Sequence, residues 1–172
     1  MDENGFLKRD ATYFHHIKPF AGALMNQSSL DFTGIDPDHP FRFAVSEVTA
    51  FKEQFQIIRK HIKHAGCQRA ILVGHNPAFD MAFLNAAIER NHIKRSPFHR
   101  FSSIDTAALS AVALGQTVLA RAVHAAKINF DHSRAHSAIY DAEVTADLFC
   151  EIVNRWQAFG GWDNKSNRPV VP

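Results

Sequence analysis

Two short segments of this chain carry residues able to do chemistry. The first is Gly74-His75-Asn76-Pro77-Ala78-Phe79-Asp80. It follows the apolar run Ala70 to Val73, and Pro77 stands where a helix can begin. The pattern predicts a buried strand, a turn, and a helix with Asp80 in its first turn. In open α/β sheets ligands bind beyond the carboxyl ends of strands, which is where this carboxylate falls. Taken alone, such an Asp is more often an ordinary partner of the helix dipole. The second segment is His136-Ser137-Ala138-Ile139-Tyr140-Asp141. Five residues apart on one helix, His136 and Asp141 would point about 140° apart. They can converge only if His136 lies in the loop before the helix, which Arg134 and Ser137 near the expected start allow. A loop histidine suits a general base that approaches a water and then withdraws; an isolated histidine there is otherwise a surface residue.

The elements that must position these groups follow from periodicity. Thr12 to Ile17 is a mixed β-branched and aromatic run ended by Pro19, predicted as a strand. Residues 26 to 44 hold Gly34, Pro37 and Pro40 and read as a short helical turn followed by a loop. Ser46 is a candidate cap for a helix in which Val48, Phe51, Phe55, Ile58 and Ile62 recur at spacings of three and four until Gly66. Residues 78 to 90 suit the helix after Pro77. Asp105 to Leu114 and Thr117 to Lys127 read as two helices broken at Gly115. The last helix carries Ile139, Ala142, Ala146, Phe149, Val153 and Trp156 on one face and stops at Gly160-Gly161. Strands alternating with helices predict an α/β domain over residues 1–159, with 160–172 as a flexible tail.

The 172 residues suit one domain, with 46% hydrophobic and 21% charged residues. The apolar stretches fall far short of the roughly 20 residues of a membrane helix, and the first residues lack signal-peptide character. A cytoplasmic protein without membrane contact is the expectation, with Cys67 and Cys150 as two reduced buried thiols. The net charge is only +2, but it is unevenly spread. Between Arg59 and Arg100 eight basic residues stand against Asp80 and Glu89, a local excess of +6 that leaves −4 for the rest. A surface that binds phosphates would use such an asymmetry, although solvated helix ends produce it too.

Together, His-Asn-x-x-Phe-Asp and the later His-Ser-Ala-x-x-Asp match the second and third motifs of the DEDD exonucleases, histidine branch. From about Asp10 to Trp162 the chain resembles ribonuclease T in particular. Phe32-Thr33-Gly34-Ile35-Asp36-Pro37, Asp105-Thr106-Ala107-Ala108-Leu109, Leu114-Gly115-Gln116-Thr117-Val118-Leu119 and the run Leu148 to Trp156 carry the likeness. The resemblance implies a ribonuclease H-like exonuclease fold, a mixed sheet flanked by helices. It implies hydrolysis of phosphodiesters at 3′ ends with two Mg²⁺ ions, which at about 3.5–4 Å apart activate a water and stabilise the leaving oxygen. Asp80 and Asp141 match two of the family's four acidic ligands, and His136 matches its general base. Phe32, Phe79 and Phe101 match rings that stack on the last bases of the strand, a contact worth about 1–3 kcal/mol per base. With fifteen Phe in the chain, the residues alone favour core positions for these three. Lys63, Arg69, Lys94 and Arg95 match a basic surface that one subunit of a homodimer lends to the other's substrate.

One departure stands out. The family's first motif is Asp-x-Glu near the end of its first strand, where alternation puts both carboxylates on one face. No predicted strand here carries it. Asp2-Glu3 are adjacent, Asp36-Pro37-Asp38 lies in a proline turn, and Asp10 stands alone. By the resemblance, Met1 corresponds to a point near the end of the family's second strand. The first strand, most of the second, the acidic pair and a fourth stacking ring would then be missing. The expectation is an artefact of start-codon choice, with a true short form as the alternative. A strand over Ala70–Val73 would then lack a neighbour. The function expected is 3′→5′ trimming of tRNA and other structured RNAs, releasing 5′-mononucleotides, with single-stranded DNA as a further possible substrate. The alternatives are a non-catalytic RNA-binding or assembly subunit and a DNA-proofreading exonuclease.

Overall fold

The computed structural model describes residues 6–135 and 137–161. Six helices and two strands follow in the order α1 (Gln27–Thr33), α2 (Glu47–His64), β1 (Ala70–Gly74), α3 (Pro77–Arg90), β2 (Phe98–Asp105), α4 (Thr106–Leu114), α5 (Leu119–Ala125) and α6 (Ala138–Ala158). This is the α/β alternation that the sequence predicts. Among the described residues no single helix is long and apolar enough to cross a membrane.

Local chemistry sets most boundaries. The Asn26 side chain accepts from the Ser29 N–H to open α1, and the Ser46 hydroxyl does the same for Thr49 at the start of α2. Gly115 takes the left-handed conformation that ends α4. The Asp105 carboxylate ends β2 and caps α4 by accepting from the Ala107 N–H at 2.8 Å.

β1 and β2 form a parallel pair, joined by α3 as the crossover. β2 was not predicted, because Phe98-His99-Arg100-Phe101-Ser102-Ser103 does not alternate cleanly. The register explains why. Ala70 faces Phe98 but Leu72 already faces Ser103, so β2 loops outward between them. The His99 ring holds that bulge, its Nδ1 accepting from the N–H groups of Phe101 and Ser102. Thr12 to Ile17 does not form the predicted strand. It is extended chain with one isolated bridge, Ile17 to Val45, made by Lys18 N–H to Val45 and Val45 N–H to His16, both 2.8 Å. A strand needs a longer ladder than its neighbour offers here. Among the described residues β1 has only β2 as a hydrogen-bonded neighbour, and Ile71 is 41% exposed. β1 is therefore not the fully buried strand its composition suggests.

The core lies between helices rather than around the sheet. Ala122, Val123 and Ala126 meet Tyr140, Val144, Leu148 and Ile152 of α6, with Leu109, Leu114, Leu119, Ile128 and Phe130 around them. The buried face of α6 thus differs from the predicted stripe. Ala142 and Trp156 of that stripe are exposed and the others half-buried. Ile139 and Ala142 instead line an open cavity of about 760 Å³, shared with Phe51, Phe55, Ile58 and the extended segment 12–17. α6 is apolar on two sides, and periodicity alone does not say which side packs first. Residues 7–12 run along its outer face. Asn154 brackets the Leu7 backbone, and Arg9 reaches Asp147 and Glu143. Cys67 is exposed and Cys150 half-buried, so the expectation of two buried thiols fails for Cys67. It lies in the turn after α2, outside any core. Of the expected tail, 162–172 lies outside the described residues.

Candidate active site

The turn after β1 is built to hold Asp80 against the strand end. Register pairs Gly74 with Asp105, so both parallel strands end together. Asn76 adopts the left-handed conformation at φ 64° and donates its N–H to the Asp105 carboxylate at 2.9 Å. The chain then enters α3 at Pro77. His75 locks the turn from the other side. Its Nε2 lies 2.8 Å from the Thr117 carbonyl and must carry a proton there, while Nδ1 lies 3.0 Å from the Thr106 hydroxyl. Thr106 is fully buried and also reaches the Gly74 carbonyl. Burial would push the Asp105 carboxyl up. The N–H groups of Asn76, Ala107 and Ala108, with His75 close by, outweigh it and hold Asp105 below the usual carboxylate range.

Gly74 fits this geometry closely. A Cβ there would lie 3.1 Å from the Pro77 Cβ and 3.2 Å from the Asp80 Oδ2. The Asp80 carboxylate therefore sits directly over the strand's last residue. Gly74→Ala is expected to displace Asp80 and to destabilise the fold by about 1–3 kcal/mol, the usual cost of overpacking. Thermal unfolding and a divalent-metal titration check this. Unchanged stability with unchanged metal affinity would show that the contact is slack.

Asp141 lies in the first turn of α6, its N–H donating to the Ser137 carbonyl at 2.9 Å. α3 and α6 both pack on β1, so one strand supports both predicted acidic ligands. The predicted base, His136, lies outside the described residues. The segment before it is tied to α6. Asp131 N–H donates to the Tyr140 hydroxyl, and the Arg134 guanidinium lies 4.6 Å from the Tyr140 ring centroid.

Asp80 and Asp141 offer hard oxygen donors of the kind Mg²⁺ takes, one or two carboxylates with water and substrate phosphate. They fit as part of a site. Among the described residues no group of three or more His, Cys, Asp or Glu could hold a metal ion. An Asp-x-Glu spacing does occur at Asp141 and Glu143, but on a helix these point about 160° apart. Glu143 is also engaged by Arg9 at 3.0 Å and Thr12 at 2.7 Å.

The three predicted stacking rings all lie on the surface. Phe32, on α1, is 68% exposed, Phe79 is 64% exposed and Phe101, on the β2 bulge, is 88% exposed. The core positions favoured by residue type are thus excluded. Lys63, Arg69 and Arg95 come together with Arg59 around a hollow of about 470 Å³. Arg69 donates to the Ser96 carbonyl at 3.0 Å and Arg59 to the Arg95 carbonyl. Lys94 is exposed but does not line the hollow. Arg59 was not predicted as a site residue. Its place four residues before Lys63, on the same face of α2, is the signal that marks it. His75 and Thr106 were likewise not predicted, because their role is seen only once the two strand ends meet.

This arrangement of two carboxylate-bearing helix starts on a parallel strand pair, exposed rings and a basic hollow is that of a nuclease. A family profile described as Exonuclease matches residues 2–149, and the chain belongs to that family. It is also 56% identical, over 162 residues, to ribonuclease T of Salmonella choleraesuis strain SC-B67, a match covering 94% of this chain and 75% of that protein. Membership implies a hydrolase that binds nucleic acid and depends on a divalent metal.

Proposed function

We propose that this protein is a 3′→5′ exoribonuclease that trims tRNA and other structured RNAs, releasing 5′-mononucleotides. The observation that carries the reading is the Asp80 carboxylate seated over Gly74 with the exposed Phe79 ring beside it. Phe79 takes a base of the 3′ end, placing the adjoining phosphate near Asp80. Phe32 and Phe101 stack on other bases without regard to sequence. Asp80 and Asp141 would hold Mg²⁺, which when bound lowers the pKa of a water and stabilises charge on the phosphate oxygens. His136 takes the proton of the attacking water. Arg59, Lys63, Lys94, Arg69 and Arg95 meet backbone phosphates, in a homodimer on the strand held by the partner subunit. The protein would work in the cytoplasm.

A second reading is a non-catalytic RNA-binding subunit, favoured by the lack of a third metal-binding side chain among the described residues. The deciding experiment fuses the quarter of the Salmonella ribonuclease T outside the match to this chain and incubates it with 5′-labelled RNA and Mg²⁺. A one-nucleotide ladder with mononucleotide release, abolished by chelation, is the expected result. Binding with no ladder would establish the second reading.

A further inference from the structure

α3 exposes a second ring whose place beside the site the family motifs do not explain. Phe83 lies one turn after Phe79 on the same face of the helix and one turn after Asp80 by the alternative three-residue step. It is 65% exposed, as open as Phe79. The two ring centroids are 4.7 Å apart and the planes meet at 48°. α3 carries Phe79, Met81, Phe83, Leu84 and Ile88, yet buries only Pro77 and Ala87. Leu84, the next residue, turns to the 760 Å³ cavity. Phe83 therefore lies outside the core formed by the described residues.

We infer that Phe83 is a second base-binding residue, and that Phe79 and Phe83 form one continuous shelf for two successive unpaired nucleotides at the 3′ end. The inference rests on the proposed exonuclease reading and extends it to the form of the substrate. A base sandwiched between two rings needs about 7 Å from ring to ring, two aromatic contact distances. At 4.7 Å no base enters between Phe79 and Phe83. The rings then offer only their outer surfaces, tilted by 48° to each other, and the combined surface is longer than one base. Along α3 the Phe83 backbone lies about 6 Å beyond that of Phe79 and the ring centroids 4.7 Å apart, so the shelf follows the helix away from the Asp80 turn. Its chemistry is sequence-tolerant, since every base has a face to stack. A paired nucleotide cannot use it because its face is covered by its neighbours in the duplex. The shelf thus selects ends with at least two unpaired nucleotides over ends with one.

The test measures binding by the full chain without divalent metal, so that no cleavage intervenes. Two hairpin RNAs serve as probes, one ending in a single unpaired 3′ nucleotide and one in two, each with 2-aminopurine at the last position before the stem or at the end. Phe83→Leu keeps apolar volume on the helix and removes the ring; Phe83→Tyr keeps the ring. Phe83→Leu is expected to raise Kd about 10-fold for the two-nucleotide end and to leave the one-nucleotide end unchanged. Phe83→Tyr should bind both as the parent does. Phe79→Ala should weaken both. Parent-like binding of the two-nucleotide end by Phe83→Leu, with Phe79→Ala still weak, overturns the shelf and leaves the exonuclease reading standing. Parent-like binding by Phe79→Ala as well would overturn the base-stacking reading beneath it.

Discussion

The 172-residue chain, assayed alone with Mg²⁺, is expected to trim RNA 3′ ends on the order of 10³-fold more slowly than the fusion carrying the rest of the Salmonella relative. The reason is the ligand set. Asp80 and Asp141 are two carboxylates, and Glu143, the other acid near Asp141, is bound to Arg9 and Thr12. A pair of metal ions would stabilise both the attacking and the leaving oxygen, and Asp80 and Asp141 alone would hold such a pair poorly. Several kcal/mol of transition-state stabilisation are then lost, and each 1.36 kcal/mol is tenfold in rate. The same fusion is expected to cover β1, whose only hydrogen-bonded neighbour among the described residues is β2. Binding of a dye that reports exposed apolar surface should fall alongside the gain in activity. Equal rates from the two proteins would show that a side chain of this chain completes the metal site, and the two-ligand account would fall.

Within the active fusion, Asp141→Asn should abolish cleavage and leave RNA affinity nearly unchanged, whereas Lys94→Ala with Arg95→Ala should do the reverse. Asp141 sits in the first turn of α6, on a helix that packs on β1, and in the proposed reading it holds metal and water. Replacing the carboxylate by an amide keeps shape and removes the anionic donor that Mg²⁺ prefers. Lys94 and Arg95 are exposed, and Arg95 borders the basic hollow with Arg59, Lys63 and Arg69. Removing two phosphate contacts releases fewer counterions, so the slope of log affinity against log salt should flatten by up to about 1.4 for a single strand. Filter binding over a salt series, paired with single-turnover cleavage, separates the two effects. Loss of binding alone in both variants would remove Asp141 from the metal site.

Much of the site was legible because its signals are local. Pro77 at a helix start, Gly74 at a strand end and Asp80 one turn further form a contiguous turn, and contiguous residues fold to one place. Ser46, Gly115 and the stripe of α2 predict their helix for the same reason: caps and i, i+4 periodicity act within a few residues. Asp105 was visible as a helix start, but not as the group that also ties the Asn76 turn, since its partner lies 29 residues away. The outward loop of β2, which carries Phe101 to the surface, depends on register with β1 and leaves no alternation to read. Periodicity could not choose between the two apolar sides of α6. Tertiary packing chose the side facing α4 and α5, where Ala122 and Val123 are fully buried, and left Ile139 and Ala142 on the cavity. The chain's own order of residues therefore determined which groups are available for chemistry and which turn holds Asp80. Only long-range contact decided that Phe32, Phe79 and Phe101 are open to solvent, that four cations share one hollow, and that β1 carries two helices with acidic first turns. Each of those depends on burial and pairing between segments distant in sequence, and neither quantity is a property of a local string of residues.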